Sequence, residues 1–99
     1  MWEKYKAKRL ISQLAIGSIR ENSDTVDKLR AIGPPAVKPL IKAISSKNYR
    51  VKLESIRALG HIGDPRALPA IEKMLKHKNE IVREYAQQAL KNLKAKNGA

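Results

Sequence analysis

The chain contains no cysteine, which removes disulfides, thiolate metal sites and cysteine nucleophiles together. It has no phenylalanine either, and aromatic residues make up only 4% of it. Leu, Ile, Val and Ala must therefore fill the core, which suits close helix-on-helix packing. No apolar run approaches the roughly 20 residues that a membrane-spanning helix needs. Lys4, Lys6, Lys8 and Arg9 ahead of Leu10–Ile16 loosely imitate a secretory leader, but Ser12 and Gln13 interrupt the short apolar stretch. A cytoplasmic protein is the expectation. Acidic residues are the last scarcity: nine stand against 21 basic ones, for a net charge of +12 and a pI near 10.2. The excess is spread along the chain, with only residues 21–33 net negative. Such a field attracts polyanions and acidic proteins, although lysine-rich surfaces also serve solubility and heat tolerance.

What the sequence does have is an internal repeat. Laying Ala36–Ile62 over Ala67–Leu93, a shift of 31 residues, makes Ala36/Ala67, Lys42/Lys73, Lys47/Lys78, Asn48/Asn79, Val51/Val82, Ala58/Ala89 and Leu59/Leu90 identical. The apolar register follows in Val37/Leu68, Leu40/Ile71, Ile44/Leu75, Ser55/Ala86 and Ile62/Leu93. Each unit reads as two helices. Pro34-Pro35 and Asp64-Pro65 open the first helices, because proline is tolerated where its missing N–H has no partner. Asn48 and Asn79 are placed to cap the second helices, and Gly63 to stop one of them. Small residues at Ser55, Ala58, Ala86 and Ala89 allow close helix approach.

Ahead of these units lies a divergent pair. Its apolar spacing predicts one long helix over residues 3–20, with Leu10, Ile11, Leu14, Ala15 and Ile19 inward. A turn at Asn22-Ser23-Asp24 and a short helix from Thr25 to Ile32 complete it. The expected architecture is all-α: an α-solenoid, a right-handed superhelix of about three helix pairs in one domain over 1–99. The pairs occupy 1–33, 34–63 and 64–93, with a fraying basic tail at 94–99.

The run Ala58-Leu59-Gly60-His61-Ile62-Gly63-Asp64-Pro65-Arg66-Ala67-Leu68-Pro69-Ala70-Ile71 resembles the junction between HEAT-like repeats of the bilin-lyase type, in which "ALG.IGDPRA.P.L" links successive repeats. Ile32-Gly33-Pro34-Pro35-Ala36-Val37 and Asn79-Glu80-Ile81-Val82-Arg83 look like the same family, so the resemblance covers residues 31–93. It implies a scaffold acting mostly by protein contact. It also implies a structural ladder pairing Asp64 with Arg83, positions held by Pro34 and Lys52 in the preceding unit.

Catalysis is not expected. His61 and His77 each lack a second ligand at helical spacing, and His61-Ile62 and His77-Lys78 are not the His-Glu pairs of iron-binding HEAT-type hydroxylases. The five glycines are too scattered for a phosphate loop, so no cofactor and no metal are anticipated. The expected function is a small non-catalytic adaptor that binds an acidic surface of another protein through its inner helix face. Arg50, Arg57, His61, Ile81, Tyr85, Gln88 and Lys91 are its contact residues. On that face Glu54 and Asn92 are also read as exposed, whereas Leu53 and Ile56 are assigned to the core. The alternative is sequence-nonspecific nucleic-acid binding, either along this concave face or along a stripe of Trp2, Lys6, Arg9, Gln13 and Arg20 on the first helix. A homodimer through an incompletely covered solenoid end is a further option.

Overall fold

The computed structural model describes residues 2–98, and among these the regular structure is entirely helical. Six α-helices follow in order: α1 (Trp2–Gln13), α2 (Ile19–Ile32), α3 (Val37–Ala43), α4 (Tyr49–Ile62), α5 (Leu68–Met74) and α6 (Glu80–Lys96). Short 3-10 turns at Pro34–Ala36 and Pro65–Ala67 lead into α3 and α5. The helices pair as α1/α2, α3/α4 and α5/α6, and α2, α4 and α6 lie side by side as an inner layer. This is the all-α solenoid that the repeat implies.

Helix α4 is the centre of the core. It touches α2, α3 and α6, and Leu53, Ile56, Ala58 and Leu59 on it are buried, as expected of Leu53 and Ile56. Burying a large aliphatic side chain contributes about 1.5–3 kcal/mol. Leu14, Leu29, Leu40, Ile56, Leu59 and Ile71 are each fully enclosed and form the spine that joins the three pairs. The caps match their sequence positions. Asn48 accepts a hydrogen bond from the Val51 N–H, and Asn79 accepts from those of Ile81 and Val82. Gly63 ends α4 at φ +74, ψ 21, a left-handed conformation that glycine adopts without steric cost, and its N–H donates to Leu59 O.

The first pair departs from expectation. α1 stops at Gln13, not at residue 20, and the turn falls at Leu14–Gly17, not at residues 22–24. Ser18 and Glu21 make a reciprocal capping box: the Glu21 N–H donates to Ser18 Oγ, while the Ser18 N–H donates to the Glu21 carboxylate at 2.8 Å. That box starts α2 six residues upstream of Thr25, at Ile19. Asn22 then sits buried inside α2, not in a turn, and its side-chain amide donates to Leu14 O at 3.2 Å, tying the loop down. With the helix broken, Ala15 and Ile19 do not face inward; Ile19 is 75% exposed and its neighbour Ile16 is 88% exposed.

The tail is likewise no fraying end up to the last described residue. α6 continues to Lys96, and Asn97 Nδ2 donates to Gly63 O at 2.9 Å and to Leu93 O at 2.7 Å. These bonds fasten the end of α6 to the end of α4.

The tightest helix contact is α4 on α6. A Cβ added to Gly60 would lie 2.7 Å from Ala89 Cα and 2.9 Å from Ala89 Cβ, so the two backbones meet with no side chain between them. Gly60→Ala is therefore expected to destabilise the protein by about 1–3 kcal/mol through overpacking, despite alanine's better helix propensity. Urea unfolding checks this: the midpoint should fall, whereas an unchanged or raised midpoint would show that the helices can part without cost.

Candidate functional site

The groove between α4 and α6 collects much of the expected inner face. Arg57 and His61 from α4 and Tyr85, Gln88 and Asn92 from α6 line a hollow of about 550 Å³, with Ala89 at its wall and Glu84 on its border. It exists because Gly60 and Ala89 carry so little bulk that the larger side chains on either side splay apart. A second hollow of about 380 Å³ shares His61 and Asn92 and extends the groove to Arg30 and Lys96. The groove is thus polar in its charge distribution, with Glu84 towards one end and Arg30 and Lys96 at the other.

Four of the expected contact residues, Arg57, His61, Tyr85 and Gln88, come together here. Arg50, Ile81 and Lys91 are exposed but do not line the hollow. Tyr85 is half-buried and packs against the core, and Gln88 is held by a hydrogen bond from its amide to Asn92 Oδ1 at 3.1 Å. The groove residues that sequence reasoning left out are Glu84, Arg30 and Lys96. Arg30 lies on a helix whose start was misplaced, and Lys96 belonged to the presumed tail. Glu84 directly precedes Tyr85 in the sequence, and that adjacency is the signal for it.

Glu54 is not exposed. It is 4% accessible, takes a 2.8 Å bond from Arg57 Nε, and has Arg50 at 3.9 Å. α4 is covered on both sides, and the two arginine stems close over the carboxylate. Two of the inner-face cations are therefore partly neutralised, and the groove is less basic than a count of its residues suggests. His61 titrates below its ordinary value. Burial is the main cause, reinforced by the positive charges of Arg57, Arg30 and Lys96 and opposed by Asp27. The neutral imidazole is thereby favoured, with three positive charges directed at it.

The expected Asp64–Arg83 ladder is absent and a different link takes its place. Asp64 pairs with Arg66, through Nε at 3.1 Å and Nη2 at 2.9 Å, and also accepts the Arg66 N–H at 2.9 Å. The guanidinium hydrogen bond holds the Asp64 carboxyl below the usual carboxylate range. Arg66 Nη2 then reaches Pro34 O in the preceding unit at 3.2 Å. Arg83 instead donates to His77 O and Lys78 O, as Lys52, its counterpart 31 residues earlier, donates to Ile44 O at 2.6 Å. Lys52 thus caps the end of α3, while Arg83 ties down the loop between α5 and α6. The roles follow the reach of each side chain: Arg66 sits two residues from Asp64, whereas Arg83 starts on a different helix.

On the opposite pair, Trp2, Lys6, Arg9 and Gln13 from α1 line a separate cleft of about 680 Å³ together with Tyr5, Leu10 and Lys28. Arg20 of the expected stripe is not part of it, because α1 ends before residue 20 and Arg20 belongs to α2. Lys28, from α2, takes its place. Among the described residues no three His, Cys, Asp or Glu side chains gather as a metal-binding group. Nor is any helix long and apolar enough to cross a membrane.

Comparison with known proteins agrees with this geometry. A family model described as HEAT repeats matches residues 7–91. The chain is also similar to phycocyanobilin lyase subunit beta of Pseudanabaena tenuis (strain PCC 7409), with 46% identity over 44 residues. That alignment covers 44% of this chain and 16% of the relative, so the chain corresponds to a small part of that protein.

The buried Glu54 makes Arg57 a structural residue as well as a groove residue. Arg57→Ala strands a buried carboxylate and is expected to cost about 1 kcal/mol, less than for a fully enclosed pair because Arg57 is 34% exposed. Adding Glu54→Gln to that variant should recover part of the loss in a thermal melt. Equal stability of Arg57→Ala and wild type would show that the pair holds nothing in place.

Proposed function

The chain belongs to the HEAT-repeat family, and from that premise we propose that it is a small adaptor whose α4–α6 groove takes an acidic segment of a partner protein. One observation carries the reading: Arg57, His61 and Tyr85 share a groove that continues to Arg30 and Lys96. The half-buried Tyr85 ring and Ala89 supply an apolar floor, and the Gln88 and Asn92 amides supply hydrogen bonds to an extended backbone. Carboxylates of the bound segment lie towards Arg57, Arg30 and Lys96, away from Glu84, so the charge gradient sets the direction of binding. The chain's +12 charge accelerates the encounter with such a partner.

Glu84 and the paired Glu54 weigh against the other reading of this face, a track for nucleic-acid phosphates. The likeness to phycocyanobilin lyase subunit beta, limited to 16% of that protein, supports a shared scaffold, and the adaptor reading assigns no lyase chemistry to this chain.

His61 provides the test. An anion bound beside it favours the imidazolium form, so binding takes up a proton. Because His61 titrates below the ordinary histidine value in the free protein, affinity for a short Glu-rich peptide is expected to rise as pH falls through the acid side of that range. The Glu side chains set a lower bound to the useful range, near pH 5, where they begin to protonate. Isothermal titration in buffers of different ionisation enthalpy reads the proton uptake directly. His61→Gln should abolish that uptake, and Tyr85→Ala should weaken binding while leaving it pH-dependent. Binding without proton uptake, or undiminished by Tyr85→Ala, would place the peptide elsewhere.

A further inference from the structure

The cleft on α1 and α2 is built differently from the inner groove and shares none of its residues. Its two rings are more exposed than either of the other aromatic side chains: Trp2 is 72% exposed and Tyr5 66%. Large rings left in water are unusual in a chain whose aromatic content is 4%. Lys6 and Arg9 follow them on the same face of α1, and Lys28 faces them from α2 across the cleft. Trp2, Lys6, Arg9 and Gln13 recur at spacings of three and four with Tyr5 beside Lys6, so the two rings lead and the cations follow along one edge of the helix. Among the described residues, Lys6, Arg9 and Lys28 form no ion pair of the kind that ties down Arg57 and Arg66. A carboxylate, Glu3, stands at the border, next to a shallower hollow that also contains Trp2, Lys6 and Lys28.

We infer that this cleft is a second binding site, for single-stranded nucleic acid, in which unpaired bases stack on Trp2 and Tyr5 while Lys6, Arg9 and Lys28 hold the adjoining phosphates. Three features select this occupant. Exposed rings offer flat faces that every base can use, and stacking requires no sequence. The cations beside them, Lys6 and Arg9 further along α1 and Lys28 from α2, match phosphates adjoining a stacked base. A duplex keeps its bases inside the stack and has no use for the rings, and an acidic peptide has no flat groups for them. Gln13 at the far end adds one amide able to contact a sugar or base edge without imposing sequence.

Trp2 is the chain's one tryptophan, so its fluorescence reports this cleft alone. Titration with oligothymidylate is expected to quench Trp2 emission, with an affinity that falls with salt at a log–log slope of about −2, the value for three neutralised phosphates on a single strand. Arg9→Gln and Lys28→Gln should each flatten that slope by about 0.7. Tyr5→Ala should leave the slope alone and weaken binding by roughly fivefold to a hundredfold through lost stacking. Trp2→Ala, followed by anisotropy of a labelled strand, should do the same. All four side chains are on the surface, and circular dichroism confirms that each variant keeps its helices. Binding without Trp2 quenching, or equal binding of Tyr5→Ala and wild type, would overturn the proposal. So would tighter binding of a duplex of the same length, or a blue-shifted Trp2 emission with phosphatidylserine vesicles in the absence of any response to the oligonucleotide.

Discussion

Everything in this fold depends on how closely α4 can approach α6. At Gly60 and Ala89 the two helices meet almost backbone to backbone, and that contact does three things. It seals the centre of the core around Ile56 and Leu59. It docks the last pair so firmly that α6 runs on to Lys96 and Asn97 bonds back to Gly63. It also leaves a furrow between the larger side chains that flank the contact, Arg57 and His61 on one wall and Tyr85 and Gln88 on the other. Core and groove are two sides of one packing decision, made by small residues at helical spacing. A bulkier residue at either position would fill the furrow from below while forcing the helices apart.

The electrostatics follow from the same crowding. A carboxylate on the middle of α4 has little access to water, so Glu54 survives there only beneath two arginines. The inner face thereby spends part of its positive charge on its own structure. Among the described residues, the three cations of the α1–α2 cleft form no such pair. A chain of net charge +12 thus presents two unlike surfaces: an inner groove with an apolar floor and a graded rim, and an outer cleft where exposed cations adjoin exposed aromatic rings. Different chemistries suit them, and the proposed ligands differ for that reason.

The two regular repeats were legible in the sequence because local chemistry and the 31-residue shift point the same way. Asn48, Asn79 and Gly63 act as caps wherever they occur in this setting, and Leu53 and Ile56 could only be core in a helix covered on two sides. The first pair was not legible by periodicity. Leu10, Ile11, Leu14, Ala15 and Ile19 continue a helical pattern across a point where the chain turns, and the deciding signal was the Ser18–Glu21 capping box rather than the apolar spacing. Glu54 was misplaced for a related reason: its position on the helical wheel points outward, and only the arginine stems on its own helix, with α2 and α6 at either side, bury it. Pairing of Asp64 with Arg66 rather than Arg83 depends on side-chain reach, which spacing along a repeat does not encode. Of the candidate sites, the sequence carried Arg57, His61, Tyr85 and Gln88, and four members of the α1 stripe. Arg30 and Lys28 come from α2 and needed the tertiary structure to join them, and Lys96 needed α6 to run on past the expected start of the tail.

The central claim is that the molecule has two separable binding faces. Amide and side-chain NMR shifts, followed while a Glu-rich peptide and oligothymidylate are added in turn to one sample, test it most directly. The account predicts two disjoint sets of shifted signals: Arg57, His61, Tyr85 and Asn92 with the peptide, and Trp2, Tyr5, Lys6 and Lys28 with the oligonucleotide, each ligand binding in the presence of the other. Displacement of one ligand by the other, with both moving the same signals, would contradict it and reduce the two faces to a single site governed by net charge.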